Sequence, residues 1–198
     1  MIKETQGYLL DFDEIARLGL ISYLTAVQET EGLSREERVK RQTELIVDDL
    51  LSLLILAYKQ GSEATGVMLG FAPKVSARDM ERAIYQEIAG ETFVDRVRNH
   101  VEQGDPGLLK NLEESEVHRV YTQGGEDAAR QADRPVVKTW VTMGDPRVRD
   151  THAHIDGNTV GLEDEFYTFD GDHAQRPGGF TLASNNVNCR CWLQYRYA

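Results

Sequence analysis

Apolar residues recur at helical spacing through roughly the first hundred positions and then give way to alternation of period two. From Asp11 to about Gln103 the pattern predicts helices, broken at Glu31-Gly32-Leu33, Gly61, Gly70 to Pro73 and Gly90. Ser34 with Glu37, and Ser76 with Asp79, fit capping boxes placed just before apolar-periodic runs. Met80, Ala83, Ile84 and Ile88, then Phe93, Val94, Val97 and Val101, read as core stripes. Leu45 to Tyr58 is apolar on nearly every side beyond Asp49. Such a helix is surrounded by others or docks on a partner, and the pattern favours the buried central helix. Asp105-Pro106 reads as N-cap and first residue of a further helix carrying Leu108, Leu109, Leu112, Val117 and Val120. Gly124-Gly125 should stop it, with a short helical stretch following to Gln131.

After Pro135 the residue types change. Val136 to Thr142 is β-branched and aromatic and predicts a strand. Residues 143–185 are rich in turn formers such as Gly144-Asp145-Pro146, Asp156-Gly157-Asn158 and Asp170-Gly171-Asp172, with short strand candidates only near Thr159-Val160 and Phe166 to Phe169. From Val187 to Tyr197 the alternation predicts a strand whose buried face holds Val187, Cys189, Cys191, Leu193, Tyr195 and Tyr197. Trp140 and Trp192 fall opposite the more regular stripe of their strands, with core packing the favoured use. The fold class is therefore α+β, an acidic helical region over 1–105 followed by a loop-rich domain of a helix and short strands over 106–198.

Charge sharpens this division. Residues 1–133 carry 15 Lys and Arg against 25 Asp and Glu, a net of −10, and residues 134–198 carry 7 against 8, a net of −1. General coating of DNA needs a basic surface and is disfavoured, although Arg147, Arg149, Arg190 and Arg196 could form a local patch that touches DNA. Two cysteines are too few for a disulfide-stapled secreted fold and suit a reducing cytosol. Met1 to Gln6 is polar and Tyr8-Leu9-Leu10 is too short for a signal peptide, and no apolar run reaches the roughly 20 residues of a membrane span. A soluble protein with no membrane partner is expected.

The order of motifs in the last third is specific. Lys138-Thr139-Trp140 is followed by Asp145-Pro146-Arg147-Val148-Arg149 and His152, then Asp156-Gly157 with Val160, then Phe166, and finally Asn188-Cys189-Arg190-Cys191. Together these resemble the C-terminal domain of the phage Mu protein F-like minor head proteins, over roughly residues 110–193. Glu116 and Tyr121 sit where that family has a helix reading R-T-E and an aromatic residue, while Glu114 reverses the charge of the arginine. The resemblance implies a head-morphogenesis protein of a tailed phage or prophage. Its partners would be the portal protein or the major capsid protein, and its location the virion head, with the host cytoplasm during assembly.

The residues also admit chemistry of their own. His152, His154, Cys189 and Cys191 could make a tetrahedral structural zinc site. On a regular strand, however, residues two apart lie about 6.6 Å apart, whereas two thiolates on one zinc bring their sulfurs within about 4 Å. Only a bent strand end would serve, and small buried cysteines without a metal are the favoured reading, so no cofactor is expected. Of the two histidines, His152 belongs to the family pattern. For Arg147, Arg149 and Arg190 a lock on carboxylates and loop carbonyls is favoured over substrate binding. Two other functions remain open: a phage-derived toxin-like enzyme of nuclease or ADP-ribosyl transfer type, with His152 and Glu116 or Asp156 as acid and base, and a DNA-binding factor of packaging or ejection. No catalytic residue is assigned, and a non-enzymatic protein is expected.

Overall fold

The computed structural model describes residues 12–88 and 90–198. The polar start Met1 to Gln6, the Tyr8-Leu9-Leu10 run and Asp11 lie outside the described residues. Five helices come first: α1 (Phe12–Glu29), α2 (Arg35–Leu69), α3 (Ala77–Ile84), α4 (Phe93–Gln103) and α5 (Pro106–Ala129). The remainder runs β1 (Val136–Val141), α6 (Asp150–Ile155), β2 (Thr159–Gly161), β3 (Phe166–Tyr167), β4 (His173–Ala174), α7 (Ala183–Asn186) and β5 (Trp192–Tyr197). This is the α+β arrangement that the pattern implied.

Local chemistry sets most helix ends. Ser34 and Glu37 form a reciprocal capping box at the start of α2, Thr92 and Asp95 form another at α4, and Asp105 caps α5 with Pro106 in its first turn. Gly70 and Gly104 close α2 and α4 in the left-handed conformation that glycine adopts without a steric cost. Helix α2 is the central element. It buries Ile46, Leu50, Leu54, Ala57 and Tyr58 in a core shared with Phe93, Val97, Val101, Leu109, Val117 and Val120.

Two expected helix breaks do not occur. Helix α2 runs unbroken through Gly61, and α5 continues through Gly124-Gly125 to Ala129. A Cβ on Gly61 would lie 1.9 Å from the Tyr121 carbonyl oxygen, and one on Gly124 would lie 2.2 Å from that of Tyr58. These glycines let two helix backbones touch, which outweighs their poor helical propensity.

Helix α1 is inverted in polarity. Gly19, Ser22, Ala26 and Thr30 face inward, with Ser22 Oγ donating to Asp49 at 2.6 Å and Gln42 Nε2 donating to Thr30 at 2.8 Å. Leu20, Ile21 and Leu24 face solvent. Opposite Gly19, Glu113 is fully buried, and burial, helped by Glu114 and Asp49, pushes its carboxyl up to about 8.

Strand β1 is the middle of an antiparallel sheet of order β2-β1-β5, with Lys138 opposite both Val160 and Tyr195. Its buried face carries Val136, Lys138 and Trp140. The placing of Trp140 opposite the core stripe is thus corrected: the lysine belongs to the inward stripe, its ammonium 5.8 Å from the centroid of the Phe166 ring. Strand β5 begins at Trp192 rather than Val187, because α7 and a left-handed Asn188, φ 55°, occupy the preceding positions. Helix α6 falls within the stretch expected to lack long elements, and β3 stops at Tyr167, short of Phe169. A second core joins the ends of α2 and α5 to this region through Leu69, Ala129, Val136, Trp140, Ile155, Phe166, Phe180, Cys191, Leu193 and Tyr195.

Candidate functional site

His152 stands at the centre of the C-terminal region. Helix α6 carries it inward until it is 1% exposed, between aromatic rings supplied by two separate segments. Trp140 from β1 meets it edge-on at 5.3 Å between ring centroids, and Phe180 stacks on it at 5.3 Å. Phe166 and Phe180 in turn pack on Trp140 at 5.2 and 5.5 Å. Edge-to-face and tilted geometries of this kind add to the burial of each ring. The Lys-x-Trp strand, the histidine and the later phenylalanine therefore meet in one box.

Both cysteines reach the open side of that box. His152 Nδ1 lies 3.3 Å from Cys191 Sγ and 3.7 Å from Cys189 Sγ, and both cysteines are buried and free of disulfides. The three donor atoms lie within 4.8 Å of one another, a cluster that can hold a metal ion. Regular strand spacing would keep the sulfurs apart, but the left-handed Asn188 bends the chain before Cys189 and both cysteines precede β5. Contact with Cys191, aided by His152 and His118, holds the Cys189 thiol well below the ordinary thiol value. The same contact, with burial, pushes Cys191 up. His118, on α5, lies with Nε2 2.7 Å from the Cys191 carbonyl oxygen and ties the cysteine segment to the long helix. His154 is not brought into this cluster: it is exposed, with its ring against the edge of Phe169.

The arginines tie loops together around the box. Arg190 donates two parallel hydrogen bonds to Asp145, at 2.8 and 2.7 Å, and the Arg147 backbone N–H adds a third at 3.0 Å. These contacts hold Asp145 at about 2; the Arg190 fork is the largest cause. Arg149 donates to the carbonyls of Ser184, within α7, and Val187, which caps its C-terminal end. The Arg147 guanidinium stays largely in solvent, 3.7 Å from Asp145. Asp156 Oδ1 accepts from the Thr142 backbone at 2.7 Å, and Gly157, at φ 76°, donates to the Trp140 carbonyl at 2.8 Å. The Asp-Gly turn thereby closes α6 back onto β1. Lys138 is fully buried, its Nζ has no hydrogen-bond partner among the described residues, and desolvation lowers it to about 8.

Several residues that organise the site carry no periodic signal. Asp172, 3% exposed, accepts from the backbone N–H groups of Thr181 and Leu182, from the Thr181 hydroxyl and from Asn185. Burial alone would raise its pKa, but these donors outweigh it and leave the carboxyl at about 2. Because this folded value lies below the ordinary 3.8, the carboxylate's contribution is complete above about pH 4 and is lost as the pH falls towards 2. Asp172→Asn should therefore destabilise the protein at pH 7, by about 2 to 3 kcal/mol. In urea titrations the gap to the parent chain should narrow below pH 4, and a gap independent of pH would contradict this assignment. The other unforeseen anchor is Glu126, fully buried on α5, which pairs with Arg130 at 2.7 Å and Arg176 at 3.1 Å.

Residues 75–194 match the family described as phage Mu protein F like protein. The chain belongs to that family. The matched span runs from the approach to α3 to within β5, so it takes in the aromatic box, the arginine contacts and both cysteines. Over 83 residues the chain is 34% identical to the minor head protein GP7 of Bacillus phage SPP1, covering 41% of this chain and 27% of that protein. Over 164 residues it is 25% identical to the NAD(+)--arginine ADP-ribosyltransferase EFV of Enterococcus faecalis, covering 80% of this chain and 34% of that enzyme. The alignments thus span about a third or less of these curated relatives. No solved structure matches the chain. No helix among the described residues is long and apolar enough to cross a membrane.

Proposed function

We propose that the chain is a minor head-morphogenesis protein that associates with the portal or inner capsid during assembly and resides in the virion head. Family membership across residues 75–194 carries this reading. The geometry agrees with it, since the motif residues are spent on holding loops together and bind one another more than they face a cleft. The apolar outer face of α1, at Leu20, Ile21 and Leu24, belongs to the acidic helical part and suits a protein partner. A groove of about 880 Å³ between the first half of α2 and α4, floored by Val39, Val47 and Val94, lies in the same part. Within the C-terminal domain, residues 106–198 by this reading, His152, Cys189 and Cys191 serve as a structural zinc site. Gradient-purified heads and assembly intermediates should contain the protein together with the portal. Its absence from both would overturn the proposal.

The alignment with the transferase favours one second reading, ADP-ribosyl transfer. Against it, Glu116 is 4% exposed and engaged by two arginines, and His152 is 1% exposed within the aromatic box, so neither is open to a dinucleotide. Asp156 is committed to the Thr142 backbone. Label transfer from NAD to arginine-containing substrates by the purified chain would reinstate the enzyme. DNA contact is confined on this reading to local sites, because Arg149 and Arg190 are already paired. Retention on DNA at low salt with a steep salt dependence would argue for a larger role.

A further inference from the structure

Tetrahedral zinc, with Zn–S near 2.3 Å and Zn–N near 2.0 Å, places an imidazole nitrogen about 3.5 Å from each sulfur and the sulfurs about 3.8 Å apart. The distances from His152 Nδ1 to the two sulfurs, 3.3 and 3.7 Å, bracket that value, and all three donors fall within 4.8 Å of one another. Packing holds the imidazole in place. Trp140 and Phe180 fix the ring from two sides, and His118 holds the Cys191 backbone, so the donor set is arranged before any ion arrives.

A fourth protein donor does not join them. Among the described residues the cluster has three members, and His154, the remaining histidine of α6, turns outward onto Phe169. Beside the donors lies a cavity of about 10 Å³, bordered by Met143, Arg147, Val148, Arg149, Asn188 and Arg190. That volume admits about one water molecule. Arginines border it, so a small anion is favoured there over a neutral ligand.

We infer that the cluster binds one zinc ion through His152, Cys189 and Cys191 and leaves the fourth position, facing this partly open cavity, to an exchangeable ligand: water or hydroxide within the cavity, or azide reaching out of it towards solvent. The inference rests on the zinc reading given above and specifies its coordination. Two thiolates and a neutral imidazole balance the charge of the ion, which suits burial in an aromatic surround.

Reduced full-length chain loaded with Zn²⁺, and separately with Co²⁺, tests both levels. Metal analysis should give one ion per chain, and X-ray absorption should find two sulfur and two nitrogen or oxygen neighbours. The Co²⁺ spectrum should show thiolate charge-transfer bands that shift on adding azide and persist in His154→Ala. Cys191→Ser, checked for folding by circular dichroism, should weaken Zn²⁺ binding at least about 10-fold, the lower end of the loss seen for outer-shell partners. No retained metal in the reduced parent chain would overturn the site altogether. One bound ion with an azide-insensitive spectrum, or a spectrum lost in His154→Ala, would overturn the open position and leave the zinc reading standing.

Discussion

Glu116→Ala should lower the melting temperature by about 6 to 20 °C, corresponding to roughly 3 to 5 kcal/mol, and the loss should be visible in thermal and urea melts alike. Glu116 lies between two buried arginines: Arg96 donates from Nε at 3.0 Å, and Arg119 donates from Nε at 3.2 Å and from a terminal nitrogen at 2.7 Å. Arg119 also donates to the carbonyls of Ala83 and Ile84, at 2.6 and 3.2 Å, where α3 ends. Arg96 reaches the Glu91 carbonyl at 2.6 Å in the turn before α4. A single carboxylate thus anchors α3, α4 and α5 to one another. Removing it leaves two cations facing each other in a poorly solvated space, which costs far more than the modest net value of an ion pair. Replacing Arg119 by Met in the same background should restore part of the stability, because one uncompensated charge is then gone. A Glu116→Ala protein that melts within about 1 °C of the parent would show that the triad is solvated and of little weight.

How much of this the sequence discloses depends on the range of the cause. The capping box at Ser34 and Glu37, the break at Gly70 and the central apolar helix are written in neighbouring residues and are found as expected, whereas Ser76 caps α3 without the return bond to Asp79. The motif order names Trp140, His152 and Phe166 as parts of one family pattern without showing that they meet in space, and Phe180 closes the box from a turn-rich stretch that has no periodicity. Asp172 and Asn185 escape notice for the same reason: their bonds are made within loops, where residue type alone does not distinguish a solvated carboxylate from a buried one. The strand arithmetic that separated the two cysteines assumed a regular strand, and the kink at Asn188 removes that assumption. Asparagine tolerates the left-handed region better than most residues, so Asn188 carried a weak signal of it. Two members of the suspected basic patch are engaged for reasons of similar range, since the partners of Arg149 and Arg190 lie 35 to 45 residues away in sequence, while Arg147 and Arg196 stay exposed.

The glycines of the helix crossing show the same gap and allow a decisive measurement. Read alone, Gly61 and Gly124-Gly125 are helix breaks, because glycine is about 1 kcal/mol worse than alanine within a helix. Their purpose is visible only when α2 and α5, some 60 residues apart, are laid together. A Cβ at position 124 would sit 2.2 Å from the Tyr58 oxygen, 2.9 Å from its carbonyl carbon and 3.1 Å from its Cα, all backbone atoms of a buried helix that cannot swing aside. The Cβ at position 61 meets the Tyr121 backbone in the same way, at 1.9 and 2.8 Å. Gly124→Ala should therefore destabilise by at least about 2 kcal/mol, net of the roughly 1 kcal/mol that alanine returns in propensity. Gly61→Ala should cost at least as much. The double variant should cost less than the sum, since the first methyl already forces the helices apart and relieves the second. Separation would also disturb what lies over the crossing: Tyr58 donates to Asp127 at 2.7 Å, and the Tyr195 ring of β5 comes within 3.6 Å of a Cβ placed at Gly125. Strand β5 directly follows the two cysteines, so the Gly124→Ala protein should also expose its thiols faster to a cysteine reagent under native conditions. Stability equal to the parent would mean that the two helices are not in backbone contact, and with it the glycine reading would fall.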